Sequence, residues 1–251
     1  MLTRYAEGVI RFRWLIILLT LLTVGFAARG IGYLAFTNDY RAFFAEENPQ
    51  LQAFETLQNT YDKSDNVMFI LTPKQGTIFT PETLESIAWL TEEAWQTPFS
   101  NRVDSITNFQ HTRAIDDDLE VEDLVQFAAE LSAEDLAYIA SVAHSEPQLK
   151  QRLLSADGRV SGVNINIQLP GKALTEVPEV AFFARDLAAQ LRQRDPNLDV
   201  KLSGLVMFNN AFGESAQKDM ATLIPLMFVL VIVAIGLLLR SISGTTASML
   251  V

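Results

Sequence analysis

The chain has 251 residues, 49% of them hydrophobic and 20% charged, and a formal net charge of -11. The acidity is uneven: residues 36–218 hold 14 Lys and Arg against 28 Asp and Glu, a net of -14, while both ends are apolar and slightly basic. That distribution excludes the basic surface that nucleic-acid phosphates require, and the lack of cysteine excludes disulfides, thiolate metal sites and a cysteine nucleophile.

Residues 1–13 place Arg4, Arg11 and Arg13 ahead of the apolar run Trp14–Ala28. A basic flank before a greasy core orients a helix with its N-terminus inside the cytoplasm. A cleaved leader has an apolar region of this length too. The return of apolar character in Gly30, Ile31, Tyr33, Leu34 and Phe36 favours a permanent first span over 14–36, with Arg29 snorkelling and Trp14 and Tyr33 in the interfacial belts.

Beyond Thr37, Asn48 as N-cap and Pro49 at the first helical position open an amphipathic helix carrying Leu51, Phe54, Leu57, Gln58 and Tyr61. The continuous run Val67–Leu71 predicts a strand covered on both faces. Thr80 caps the next helix with Pro81 at its start, and Leu84, Ile87, Ala88, Thr91 and Trp95 form its sheet-facing stripe. Asn101–Thr107 reads as a strand.

The acidic run Asp116, Asp117, Asp118, Leu119, Glu120 leads into a helical insert at about 116–145, broken near Leu131 where Ser132 and Asp135 fit a capping box. Asp157-Gly158 marks a hairpin turn between Leu153/Leu154 and Val160. Its second arm alternates, with Val163, Ile165, Ile167 and Leu169 on one face and Asn164, Asn166 and Gln168 on the other. A helix over Pro178–Arg194, bearing Val180, Phe183, Ala184, Leu187 and Leu191, and a last strand with Val200, Leu202 and Gly204 complete the unit. Without the insert the order is βαββαβ, a ferredoxin-like fold with two helices on one face of an antiparallel sheet. Thr80-Pro81-Glu82 and Val177-Pro178-Glu179 open the two helices alike.

Ala221–Leu239 is nineteen residues without a charge. At about 1.5 Å per residue it reaches roughly 28 Å, the thickness of a bilayer's hydrocarbon core. The second span is therefore placed at 219–239, with a bend expected at Pro225 and a Glu214–Lys218 pair extending the helix above the membrane. The fold class is an α+β membrane protein: two transmembrane helices flank an extracytoplasmic domain over 37–218. Arg240 then lies inside, and the small and apolar residues of 240–251 read as a cytoplasmic turn and the start of a third span, as if the chain were cut from a larger membrane protein.

Chemistry is sparse. His111 and His144 have no second ligand at metal spacing, and the run 116–120 reads as a solvated acidic loop rather than a cation site. No phosphate loop, metalloprotease motif or nucleophile elbow is present, so neither a cofactor nor catalysis is expected. Neither span carries a central ionisable group, so no proton relay is expected in this chain.

The order of parts resembles the N-terminal portion of RND exporters. It runs from one span through Phe36-Thr37-Asn38-Asp39-Tyr40-Arg41-Ala42-Phe43-Phe44, Glu47-Asn48-Pro49 and an α/β domain to Ser203-Gly204-Leu205 and a span ending Leu239-Arg240-Ser241. The branch it resembles is the one related to the mycobacterial membrane protein large (MMPL) and hopanoid-exporter-like proteins. The resemblance implies a proton-driven exporter of lipids or other hydrophobic and amphiphilic molecules in the cytoplasmic (inner) membrane. It implies two similar halves, each with one span, a porter-type domain and five further spans, so the relay acids lie beyond Val251. Asp39, Phe43, Asn48 and Pro49 match the entrance to the porter domain, with an architectural role implied. The expected partners are the lipid bilayer, an amphiphilic substrate held between the apolar faces of the two βα units, and the remaining transmembrane bundle; the oligomeric state stays open. The alternative reading is a two-span sensor with an extracytoplasmic small-ligand domain. A third is an accessory protein with no ligand.

Overall fold

The computed structural model of the chain describes residues 10–30, 44–45, 47–60, 65–115 and 118–249. Asp39, Phe43, and the first span beyond Gly30 lie outside them. The described elements are α1 (Arg13–Ala28), α2 (Pro49–Thr60), β1 (Asp65–Pro73), α3 (Pro81–Ala94), β2 (Ser100–Asp104), β3 (Gln110–Ile115), β4 (Asp118–Asp123), a 3-10 turn at Ala128–Glu130, α4 (Ala133–Ser145), β5 (Ser161–Ile167), α5 (Glu176–Arg194), β6 (Leu198–Ser203), α6 (Leu205–Leu239) and α7 (Ile242–Met249). The chain divides into two compact units, Asn38–Glu214 and Met1–Thr37 with Ser215–Val251.

In Asn38–Glu214 the sheet order is β2-β5-β1-β6, antiparallel throughout. β1 and β2, joined through α3, have β5 inserted between them, and β5 and β6, joined through α5, enclose β1. That interleaving is the expected split βαβ arrangement. It follows from two βα units that each bury one helix on the same side of the sheet. On that side β1 contributes Val67, Phe69 and Leu71, and β5 contributes Val163, Ile165 and Ile167, all fully buried. Leu84, Ile87 and Leu90 of α3 and Val180, Ala184, Leu187 and Leu191 of α5, spaced at three and four residues, cover them. Thr80 caps α3 through its hydroxyl, which accepts from the Thr83 N–H at 3.2 Å.

Several expectations need correction. β1 is not covered on both faces: its residues alternate buried and half-buried, because both helices lie on one side. Trp95 is not part of the α3 stripe but its exposed C-cap, and Leu90 and Ala94 fill the place assigned to it. The insert over 116–145 is not helical from Val121. β3 and β4 form a hairpin there, which sets Glu120 opposite Arg113 and Glu122 opposite His111. A helix would instead have stacked like charges such as Asp118 and Glu122 at i, i+4. The α-helix of the insert is α4, preceded by the 3-10 turn at Ala128–Glu130, and it opens on the expected capping box of Ser132 and Asp135. The hairpin around Asp157-Gly158 shrinks to a single bridge, Leu154 to Ser161. Residues 149–154 spend their backbone donors on local turns, with Arg152 and Leu153 both donating to Leu149 O, and form no ladder. Pro178 is the third residue of α5, not the first, so the two helices open differently.

The 35-residue helix α6 starts within Asn38–Glu214, leaves that unit after Glu214 and continues through Pro225. Among the described residues it is the helix long and apolar enough to cross a membrane, with a mean hydropathy of 2.9 over its most apolar stretch and none of that stretch buried. The apolar helix α1 is shorter, 16 residues, and likewise buries nothing.

Candidate functional site

Because the helices take one face of the sheet, the other stays open, and strand alternation decides which side chains it carries. β1 sends Asn66, Met68 and Ile70 there. The register sets Asn164 beside Met68 and Gly162 beside Ile70, and β2 adds Arg102 and Asp104 next to Asn166 and Asn164. The side chains across this face are joined head to tail. The Leu205 backbone N–H, at the root of α6, donates to Asn66 Oδ1 (3.1 Å), and Asn66 Nδ2 donates to Asn164 Oδ1 (2.7 Å). Asn164 Nδ2 donates to Asn166 Oδ1 (3.4 Å), and Asn166 Nδ2 donates to Asp104 Oδ2 (3.2 Å). Arg102 Nε closes the row on Asp104 Oδ1 at 2.6 Å.

Two segments stand over this face. One is the turn Ser105–Asn108, locked by Asn108 Oδ1 accepting from the Ser105 N–H (2.8 Å) and by a buried hydroxyl cluster of Thr91, Ser105 and Thr107. The other is the coiled segment after α4, in which Gln151 is held at φ +59° while its N–H donates to Leu154 O. Between them and the sheet lies a cleft of about 670 Å³ lined by Met68, Arg102, Asp104, Asn164, Gln148 and Arg152, among others. A second hollow of about 310 Å³ continues from it over Met68, Ile70, Leu153, Leu154, Val160 and Gly162. The two share Met68, Arg152 and Leu153. Both fall within the roughly 300–1,000 Å³ of ordinary small-molecule sites. The first is polar and the second mainly apolar, so together they suit a molecule with one hydrophilic and one hydrophobic end.

This is not the expected cleft between apolar faces of the two βα units: those faces are packed into the core. Sequence reasoning missed Arg102 and Arg152 as neighbours of one cavity. The only available signal was the polar half of the alternation at Asn164 and Asn166. Of the four positions matched to the porter entrance, Asn48 caps α2 as expected, its Oδ1 accepting from the N–H groups of Gln50 (2.9 Å) and Leu51 (3.2 Å), with Pro49 at the first position. His111 meets Tyr138 Oη at 3.1 Å and His144 packs on Phe79, and no cluster of metal-binding side chains occurs among the described residues.

Two carboxylates fix the surroundings. Glu214 pairs not with Lys218, as expected, but with Arg185 of α5, through bonds of 2.5 and 2.9 Å, and also accepts from the buried Asn210 Nδ2. Those bonds hold its carboxyl below the usual range. Half-exposed as both partners are, the pair contributes at most about 1 kcal/mol. Glu176, 6% exposed, accepts the backbone N–H groups of Gly171, Lys172 and Ala173 at 2.7–2.9 Å and so closes the loop before α5. Burial pushes its carboxyl up, but the three N–H bonds outweigh that and hold it below its ordinary 4.5. A lowered folded value means that the loop's stabilisation is complete above pH 4.5 and is lost as pH falls through the lowered value. We expect hydrogen exchange at Lys172 and Ala173, corrected for intrinsic rates, to show protection that fades only below pH 4.5, and Glu176→Gln to flatten that dependence.

An antiparallel α+β domain whose last strand runs straight into a long apolar helix is compatible with the porter-type domain of a membrane transporter. Residues 52–250 match the MMPL family model, and the chain belongs to that family. Membership makes it a membrane protein and points to RND-type export of hydrophobic molecules. The match is to the family as a whole, without assignment to a hopanoid-exporter-like branch, and it lends no support to the sensor reading. No curated protein matches the chain.

Proposed function

We propose that the chain is the N-terminal segment of a proton-motive-force-driven exporter, not an enzyme, and that its domain takes up a lipid or other amphiphile outside the cytoplasm. In this reading residues 14–36 form the first span, 219–239 the second, and residues 37–218 lie beyond the inner membrane, with Asp39, Phe43, Asn48 and Pro49 at the entry to the domain. The observation that carries it is the pair of joined hollows on the open sheet face, polar at one end and apolar at the other. The row of amides from Asp104 to Leu205 N gives that cleft a fixed connection to the root of α6.

Gly162 tests it. A Cβ there meets Met68 Sδ at 3.0 Å and Leu153 at 3.6 Å, so Gly162→Leu fills the hollow against side chains that can yield. With the substitution in the intact exporter, release of radiolabelled lipid from cells should fall at least about tenfold at unchanged membrane abundance, the order expected when a ligand loses more than about 1.4 kcal/mol. Wild-type release should stop when a protonophore collapses the gradient. Release that survives both treatments overturns the proposal.

A further inference from the structure

The two arginines of the cleft stand out against the charge of their surroundings. The domain is acidic, at a net -14 over residues 36–218, yet the cleft carries Arg102 and Arg152 against the one carboxylate of Asp104. That carboxylate is already engaged, accepting from Arg102 Nε at 2.6 Å and from Asn166 Nδ2 at 3.2 Å. Arg102 keeps its terminal N–H groups free of other protein acceptors among the described residues, with its side chain 69% exposed. The Arg152 guanidinium has no hydrogen-bond or ion-pair partner there at all, although it borders both hollows. A guanidinium beside apolar carbons, in a protein with acidic groups to spare elsewhere, is a ready fork for an anionic group. Beyond it, Met68, Ile70 and Leu153 line the apolar hollow, where a hydrocarbon chain would lie.

We propose that the cleft selects amphiphiles with an anionic head, a carboxylate or a phosphate, seated at Arg152 and Arg102, with the acyl chain running over Met68 and Ile70. This rests on the amphiphile reading above and narrows it from any amphiphile to an acidic one. Neutral long-chain alcohols gain the apolar contact but leave the guanidinium unmatched. At exposed guanidinium groups a charge pair contributes up to about 1 kcal/mol, which corresponds to about a fivefold preference for the acid.

The test uses the full chain in detergent with three photoactivatable probes of equal chain length: a fatty acid, a lysophosphatidic acid and a fatty alcohol. Cross-linked peptides are read by mass spectrometry. The wild type should be labelled within residues 65–214, around Met68 and Leu153, about fivefold more by one or both acidic probes than by the alcohol; the stronger of the two assigns carboxylate or phosphate. Arg152→Gln, at an exposed side chain with no internal partner, should reduce the acid preference, and Arg152→Gln combined with Arg102→Gln should bring the acids down to the alcohol. Arg194→Gln, a cation on α5 on the helix-covered side of the sheet, should change nothing. Equal labelling by all three probes, or an acid preference that survives the combined Arg152→Gln and Arg102→Gln substitutions, overturns the head-group selection while leaving the amphiphile reading standing. No cross-link from any probe within residues 65–214 overturns both.

Discussion

Phe69→Ala should destabilise the α/β domain by about 3–5 kcal/mol, the range for truncating a fully buried aromatic ring. Phe69 sits at the middle of β1, itself an inner strand, opposite Val163 of β5 and Leu202 of β6. Its side chain is 0% exposed, and β1 is paired on both edges, so the surrounding backbone cannot easily collapse into the space left behind. With a whole domain stable by only about 5–15 kcal/mol, a loss of this size takes a large share. The midpoint of denaturant unfolding, followed by a probe in residues 65–214, should drop with little change in slope. A cost below about 1 kcal/mol would show that the ring is not in a packed core.

Gly204→Ala should cost about 3 kcal/mol, although it adds a single carbon. Gly204 joins β6 to α6 at φ +106°, a conformation that L side chains avoid, and its carbonyl accepts the Phe208 N–H that starts α6. A Cβ there would run into the backbone oxygen of Asn66 and lie 3.0 Å from Val67 Cα. Both are main-chain atoms of β1, so relief requires moving the end of β6 or the start of α6. Either movement breaks the Leu205 N–H bond to Asn66 Oδ1 and with it the connection between the cleft and α6. Gly76 provides the control: it also has positive φ, +77°, but nothing within 4 Å of its would-be Cβ, so Gly76→Ala should cost only the conformational part, about 1–2 kcal/mol. Similar losses at the two sites would mean that the contact with β1 contributes nothing.

The parts legible in the sequence were those fixed by neighbours along the chain. Val163, Ile165 and Ile167 alternate with Asn164 and Asn166, and β5 is the strand they describe. Thr80-Pro81 and Ser132-Asp135 announce helix starts because capping is a matter of three or four residues. The uncharged run to Leu239 is visible for the same reason. What could not be read depended on partners far away in sequence. Leu119-Glu120-Val121-Glu122 has the hydrophobicity of a helix start or of a strand, and only its pairing with His111–Ala114 decides for the hairpin. Glu214 lies one turn from Lys218, yet folding brings it Arg185 from α5, and the bidentate fork wins. The cleft is the extreme case. Met68, Arg102, Arg152 and Asn164 become neighbours only because β5 is inserted between β1 and β2 and a turn after α4 crosses above them. The polar face of the alternation was on view, but a polar strand face usually means solvent, and nothing local marks it as the floor of a site.

The central claim is that an amphiphile lies on the open face of the sheet. The chain has no native cysteine, so single cysteines can be placed in it freely. The most direct measurement compares the rate of maleimide labelling at Ile70→Cys, on the floor of the apolar hollow, with that at Ala156→Cys, on an exposed turn, in the full chain with and without a long-chain acid. The account predicts that the acid slows labelling at residue 70 by about tenfold or more and leaves residue 156 unchanged, as site occupancy requires at a concentration some ten times the dissociation constant. Equal rates at residue 70 with and without the acid, at concentrations up to its solubility, would contradict it.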